Sequence, residues 1–244
     1  MKKILFTTVK DTSAEHFKKH GWDVFLYDSL LSFDNDYDVV YFRDPFNDPD
    51  FSYNSEVIDS LIKKFGGVQS IDNIRSFDDI YLSEDKWSQA QKYANYMPKT
   101  YLPSESEFIV GKMIAKKRIS QRAKDIKFEI DKIINDDWIF QDLLDIKEEL
   151  RVYCVFGEII PEATIKTSKM NGKVKIVDAR LLTPVEIDFC KGIAEKTNLD
   201  FIGLDIAGTK NGNLQLIEVN RSPQFNRFVD YYGDGPLNRI LDLV

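Results

Sequence analysis

The stretch Phe201–Asn220 reads FIGLDIAGTKNGNLQLIEVN. Two alternating runs flank Asn211-Gly212, and Asn-Gly between such runs is a strong short-range signal for a β-hairpin. With Asn211 and Gly212 as the turn, Lys210 pairs with Asn213, Asp205 falls opposite Glu218, and Gly203 falls opposite Asn220. Residues two apart in a strand share a face. Asp205, Glu218 and Asn220 therefore gather on one face, with Leu216 beside them, and Leu204, Ile206, Ile217 and Val219 form an apolar face. Two carboxylates directly opposite each other repel. The arrangement is tolerable on a solvated edge hairpin, or with a cation between the two. An Asp, a Glu and an Asn oxygen make an all-oxygen donor set, which suits Mg²⁺ or Mn²⁺ rather than zinc or copper. A one-residue bulge would move Asp205 off this face.

The totals bound the chemistry around this hairpin. The chain has 244 residues, 43% hydrophobic and 30% charged, a globular composition with enough apolar material for one or two cores. A net charge of -7 argues against a protein built to coat nucleic acid or an anionic membrane. Two cysteines, Cys154 and Cys190, exclude a disulfide framework and a cysteine-rich zinc site, and both sit in apolar or helical contexts. The two histidines, His16 and His20, lie in the first helix-like segment with no nucleophile motif nearby. Catalysis in this chain is expected to run on carboxylates, lysines, arginines or a metal. The apolar stretch of MKKILFTTVK is too short for a signal peptide, and no run reaches transmembrane length, so the expected compartment is the cytoplasm.

Outward along the chain, KILFTTV, WDVFLYD and DVVYFRD read as strands, and SAEHFKKHG and SEVIDSLIKKFGG as helices ended by glycine. Strands alternating with helices predict a small parallel α/β unit over residues 1–80. Ligands in such units lie beyond the C-terminal ends of the strands, where Arg43 of YFRDP is placed. SEDKWSQAQKYANY reads as a helix capped by Ser83. FIVGKMIAKK and KDIKFEI read as strands, the second with Ile126, Phe128 and Ile130 alternating. ELRVYCVFGEIIPEATIKT and KVKIVDARL read as strand pairs, VEIDFCKGIAEKTN as a helix, and FIGLDIAGTKNGNLQLIEVN as the last sheet element.

The ordered set of motifs resembles the ATP-grasp superfamily, in particular the RimK-type amino-acid ligases. GLDIAGTKNGNLQLIEVNRSP is similar to the family's metal-binding hairpin, which implies that Asp205, Glu218 and Asn220 bind Mg²⁺, or Mn²⁺, on ATP. SIDNIRSFDDIYLSEDKWSQAQKYANYMPKTYL looks like the entry into the ATP-grasp core, with Lys86 at the position of a phosphate-contacting lysine. MIAKKRISQRAKDI looks like the strand and phosphate loop, with Lys116 at the usual ATP-lysine position. WIFQDLL is similar to the segment joining two lobes around adenine, which implies nucleotide contacts at Gln141, Asp142, Leu143 and Leu144. EELRVYCVFGEII resembles the following strand pair, with Glu149 on the nucleotide side and Arg151 facing the transferring phosphate. The resemblance covers roughly residues 70 to 225 and implies an α/β (α+β) ATP-grasp fold. Its parts would be a Rossmann-like unit at 1–80, a small lobe at 81–140, and a C-terminal lobe with the metal hairpin at 141–244.

Two departures from the family pattern are visible. The phosphate loop is usually glycine-rich, so that backbone N–H groups approach phosphate. RISQRAKD has no glycine and offers Arg118, Arg122 and Lys124 instead, cations able to grip phosphate through side chains. The Asn-Gly-Gly-like segment expected after VDARLLTP is absent, which bears on Arg180.

The resemblance implies an ATP-dependent ligase joining a carboxylate, on a small molecule or a peptide, to an amine through an acyl phosphate. Arg151 and Arg180 would stabilise the transferring group, and Arg43, Arg221 and Arg227 would hold an acidic substrate. The alternatives are a nucleotide-binding module with little ligase activity and an ATP-grasp kinase. The identities of both substrates and the oligomeric state stay open at this level.

Overall fold

Lys3–Thr7 (β1) and Trp22–Leu26 (β2) flank the short helix Ala14–Lys19 (α1). Val39–Phe42 (β3) follows, every residue buried, as expected of a strand covered on both faces. Ser55–Lys64 (α2) and Gln69–Ser70 (β4) complete the unit. In the computed structural model these strands form a parallel sheet in the order β2-β1-β3-β4. The structure describes residues 1–27, 36–43, 45–47, 55–105, 112–119, 126–127, 135–168 and 174–244. Arg122, Lys124, Phe128 and Ile130 lie outside them, as does most of RISQRAKD.

Where the sequence reading places one helix capped by Ser83, there are two. Phe77–Glu84 (α3) starts from a capping box of Ser76 and Asp79. Lys86–Lys92 (α4) is capped by Asp85, whose side chain accepts from Trp87 N and Ser88 N. Asp85 has an extended backbone that breaks the helix, so Ser83 closes α3 rather than opening α4. A small antiparallel sheet follows, built from Thr100–Tyr101 (β5), Met113–Lys117 (β6), Ile126–Lys127 (β7) and Trp138–Asp142 (β8) in the order β5-β8-β6-β7. One face buries Met113, Ala115 and Phe140. The other carries Ile114, Lys116, Ile139 and Gln141, which share a face by register.

The large sheet holds Ile146–Val155 (β9), Glu158–Ile159 (β10), Glu162–Ser168 (β11), Val174–Leu181 (β12), Phe201–Thr209 (β13) and Leu214–Asn220 (β14). The order is β12-β11-β9-β13-β14, with β10 paired to β9. One face packs Leu150, Val152, Cys154, Leu204, Ile206, Leu216 and Val219 onto α4 and the helix Pro184–Ala194 (α5). The opposite face has two uses. At one end Tyr153, Val155 and Phe201 join Leu5, Phe17 and Tyr41 of the N-terminal unit. Residues from Asn226–Tyr232 (α6) and Asp234–Leu243 (α7) complete that core, with Phe225 stacked on Phe201 at 5.5 Å. The remainder of that face carries Glu149, Arg151, Lys166, Asp205 and Glu218. Cys154 and Cys190 are both buried thiols. No helix among the described residues is long and apolar enough to cross a membrane.

Candidate functional site

The hairpin that leads the sequence reading forms with a different turn. Lys210, Asn211 and Gly212 lie between Thr209 and Asn213, whose backbones are bridged by Thr209 N to Asn213 O at 2.9 Å. Gly212 has φ +88°, the left-handed residue that three-residue turns place last. The longer turn shifts the pairing by one residue, to Gly208–Leu214, Ala207–Gln215 and Ile206–Leu216. A bulge at Ile217 then shifts it back, and Leu204–Val219, Asp205–Glu218 and Gly203–Asn220 pair as the sequence reading expects. The two irregularities cancel at the carboxylates but not before them. Leu216 faces the core and is fully buried, while Ile217 is only half-buried, the reverse of the alternation-based expectation.

Register extends this row across the sheet. Ala179, Thr164, Arg151, Asp205 and Glu218 are successive cross-strand neighbours on β12, β11, β9, β13 and β14. The next row places Lys166 opposite Glu149. Arg151 grips Asp205 with two guanidinium nitrogens, Nη2 to Oδ2 at 2.9 Å, and Lys166 Nζ also contacts Asp205 Oδ1. Lys166 Nζ reaches Glu149 Oε1 at 3.3 Å. Burial alone would raise the Asp205 carboxyl, but Arg151 and Lys166 outweigh it and hold the group at about 2. For Glu149, burial prevails and its carboxyl is pushed up.

The small sheet and α4 supply the other wall. Lys86, the first residue of α4, places Nζ 3.2 Å from Glu218 Oε1. Lys116 is 7% exposed and donates to Gln141 Oε1 at 2.7 Å. Burial lowers its ammonium to about 8, opposed by the charges of Glu218, Glu149 and Asp205, so it lies within electrostatic reach of the large sheet. Gln141 in turn donates to Thr100 Oγ1 at 3.1 Å. After Gln141 the chain crosses between the sheets. Asp142 N donates to Lys99 O and Leu143 N to Lys112 O, leaving the Leu143 side chain exposed and Leu144 half-buried.

Other expected site residues lie elsewhere. Arg180 pairs by register with Ala163, one position off the Arg151 row, and period-two alternation puts it on the helix-covered face. There it binds Glu186 at 2.6 and 2.8 Å and Glu148 at 2.8 Å, away from Asp205. Arg43 and Arg221 are fully buried. Arg43 Nε donates to Asp11 Oδ2 at 2.6 Å and Nη2 to Pro223 O at 3.0 Å. Arg221 lies 3.5 Å from Asp72 Oδ2. Both join the N-terminal unit to the segment after β14, a location that gives a substrate no access to them. Arg227 is exposed on α6. The Arg118 fork is taken by Asp85 at 2.7 and 2.8 Å, and Arg118 O accepts from Lys86 N, so it fixes the start of α4.

Lys166 and Gln89 are absent from the sequence-derived site. The sequence held one sign of Lys166: EATIKT alternates, so a hairpin after β9 brings this lysine to the Arg151 face. Gly203 is the small residue the site requires. A Cβ there would lie 2.7 Å from Pro223 Cβ and 3.3 Å from Arg151 Nη1. Gly203→Ala is expected to lower stability by about 1–3 kcal/mol in urea unfolding, because both neighbours are held in place.

No family model matches the chain, and no curated protein matches it in sequence. Solved structures do match it. The ATP-grasp ligase PsnB complexed with minimal precursor is 17% identical, with 98% of this chain and 97% of that chain covered and a TM-score of 0.70. D-cycloserine synthetase DcsG is 14% identical, with 100% and 98% covered and a TM-score of 0.70. The macrocyclase MdnC of Microcystis aeruginosa MRC, bound with precursor peptide MdnA, is 15% identical, with 99% and 98% covered and a TM-score of 0.62. Three sheets in this order, matched to ATP-grasp ligases from end to end, give this chain an ATP-grasp fold over nearly its whole length.

Proposed function

We propose that the chain is an ATP- and Mg²⁺-dependent ligase of the RimK-like type, joining a carboxylate to an amine through an acyl phosphate. The observation that carries this reading is the charge pattern of the cleft. Lys86, Lys116, Arg151 and Lys166 converge on Glu149, Asp205 and Glu218. Like this they neutralise one another. A polyphosphate with divalent cations offers each group a better partner: phosphate oxygens for the cations, metal for the carboxylates.

The donor set fits Mg²⁺. Among the described residues no group of three or more carboxylates, histidines or cysteines could hold a metal by itself. Asp205, Glu218 and the Asn220 amide would hold Mg²⁺ from one side, with phosphate oxygens and water as its other ligands. When bound, Mg²⁺ would offset charge on the phosphates. Lys86 and Lys116 would meet the phosphates from the α4 and small-sheet side, Gln141 to Leu144 would border the base, and Arg151 with Lys166 would face the transferring phosphoryl group. A substrate carboxylate oxygen attacks the γ-phosphorus and ADP leaves. The amine nitrogen then attacks the acyl carbon and phosphate leaves. The chain's part is positioning and charge compensation, for which no histidine is needed. In this role the carboxylate and amine lie near Arg151 and Lys166, with the exposed Arg227 the remaining arginine candidate for an acidic substrate.

The test is incubation with ATP, Mg²⁺, amines and two carboxylate pools, amino acids and acidic peptides. Peptides are included because PsnB and MdnC were solved with precursor peptides. Substrate-dependent ADP release with a condensed product, one water lighter than its components, is the expected outcome. A phosphorylated product would mean a kinase. Nucleotide binding without turnover on either pool would mean a binding module.

A further inference from the structure

We infer that Gln89 is a positioning residue that fixes the metal-facing edge strand, acting as the strand neighbour that β14 lacks. Among the described residues β14 is the last strand of its sheet, and its outward backbone groups have no strand partner there. The Gln89 side chain supplies one. Its Nε2 donates to the Val219 carbonyl at 2.8 Å, and its Oε1 accepts from the Val219 N–H at 2.9 Å. One side chain thus makes both bonds that a neighbouring strand residue would make. Nε2 also donates to the Ser83 carbonyl at 2.7 Å, which ties the amide to the end of α3. Gln89 is 3% exposed, so water does not compete for these groups.

Val219 is the residue between Glu218 and Asn220. Gln89 follows Lys86 by one helical turn, and residues so spaced share a helix face. The same face of α4 therefore presents Lys86 to the Glu218 carboxylate and Gln89 to the next backbone unit. Another outward bond of β14, Leu216 N to Tyr96 O at 2.8 Å, comes from the turn that follows α4. The bulge at Ile217 sits between these two fixed points. A bulged edge strand is open to a slip in register, and a slip of one residue exchanges its faces. Gln89 stops that slip at the peptide joining the two oxygen donors.

The inference rests on the proposed role of Glu218 and Asn220 toward Mg²⁺. Its test compares ADP affinity with Mg²⁺ and with EDTA, by calorimetry, for the wild type, Q89M and Q89E. The wild type should bind ADP more tightly with Mg²⁺; if it does not, the metal assignment fails and this inference falls with it. In Q89M the gain from Mg²⁺ should drop about 10–100-fold, the scale at which supporting partners of ligating groups act. Affinity in EDTA should stay as in the wild type. Q89E keeps only the bond from the Val219 N–H and turns a carboxylate toward the Val219 and Ser83 carbonyls, so its Mg²⁺ gain should drop at least as far; it carries the comparison if Q89M does not fold. A wild-type Mg²⁺ gain retained in the variants would overturn the inference. So would a parallel loss with and without Mg²⁺, which is what a purely structural role predicts.

Discussion

Asn in place of Asp205 is expected to abolish Mg²⁺-dependent ATP turnover and to weaken the fold at the same time. Turnover should fall roughly 10²–10³-fold or more, the scale of removing one group that stabilises developing charge. The second effect follows from position. The Asp205 side chain is 9% exposed and lies between Arg151 and Lys166. Removing its charge leaves Arg151 without its carboxylate and Lys166 with Glu149 alone, and breaking a buried pair from one side costs about 3–5 kcal/mol. Glu218→Gln separates the two effects. Glu218 is 26% exposed and its contact is with Lys86, so its loss should change stability by less than about 1 kcal/mol while removing turnover. The pH dependence has a definite sign. Arg151 and Lys166 overcome burial and hold the folded Asp205 carboxyl at about 2, below its unfolded value near 4. Its stabilisation is therefore present above about pH 4 and lost as pH falls toward 2, and Asp205→Asn should flatten that part of the acid-unfolding curve. Urea titrations at pH 7 and pH 3, with ADP release, read all of these; wild-type turnover in either variant would remove the metal site.

How much of this was legible in the sequence depends on the range of the interactions involved. Alternation and the Asn-Gly turn placed Asp205 opposite Glu218, because side-chain parity and turn chemistry are local. They reached the right pairing by a path the chain does not take. The turn holds one residue more than expected, and Ile217 is extruded to compensate. No local signal in LQLIEVN marks that bulge; it follows from Leu216 burying itself beside Ile206 while Glu218 stays beside Asp205. The misplaced arginines show the same limit. Arg180 required the parity of β12 against β11, and Arg43 and Arg221 required knowledge that the N-terminal unit packs on the segment after β14. Gln89 is the extreme case, since its meaning lies in a strand 130 residues away.

Nucleotide affinity is expected to fall steeply above pH 8, and Lys116 is the reason. Its ammonium is buried, which brings it down to about 8 in the nucleotide-free protein despite the nearby carboxylates. Phosphates placed against Nζ would restore the charged form and return the value toward the ordinary lysine range. Below pH 8 the lysine is charged with or without nucleotide, and it adds no pH dependence. Above pH 8 the free protein has lost a proton that the bound state still holds, so binding must take one up. Affinity then declines toward a limit of about tenfold per pH unit, about 40-fold between pH 8 and pH 10. Phosphate monoesters are fully ionised there, so the ligand contributes no opposing titration. Calorimetry of ADP binding in two buffers of unlike ionisation enthalpy should show uptake of about one proton at pH 9 and almost none at pH 7. Lys116→Met should weaken binding at pH 7 and abolish the decline above pH 8. The hydrogen bond from Lys116 to Gln141 makes the geometry specific, since Gln141 Oε1 holds Nζ facing the large sheet before nucleotide arrives. A decline that persists in Lys116→Met would assign the titration to another group, and a flat profile in the wild type would place Lys116 away from the phosphates.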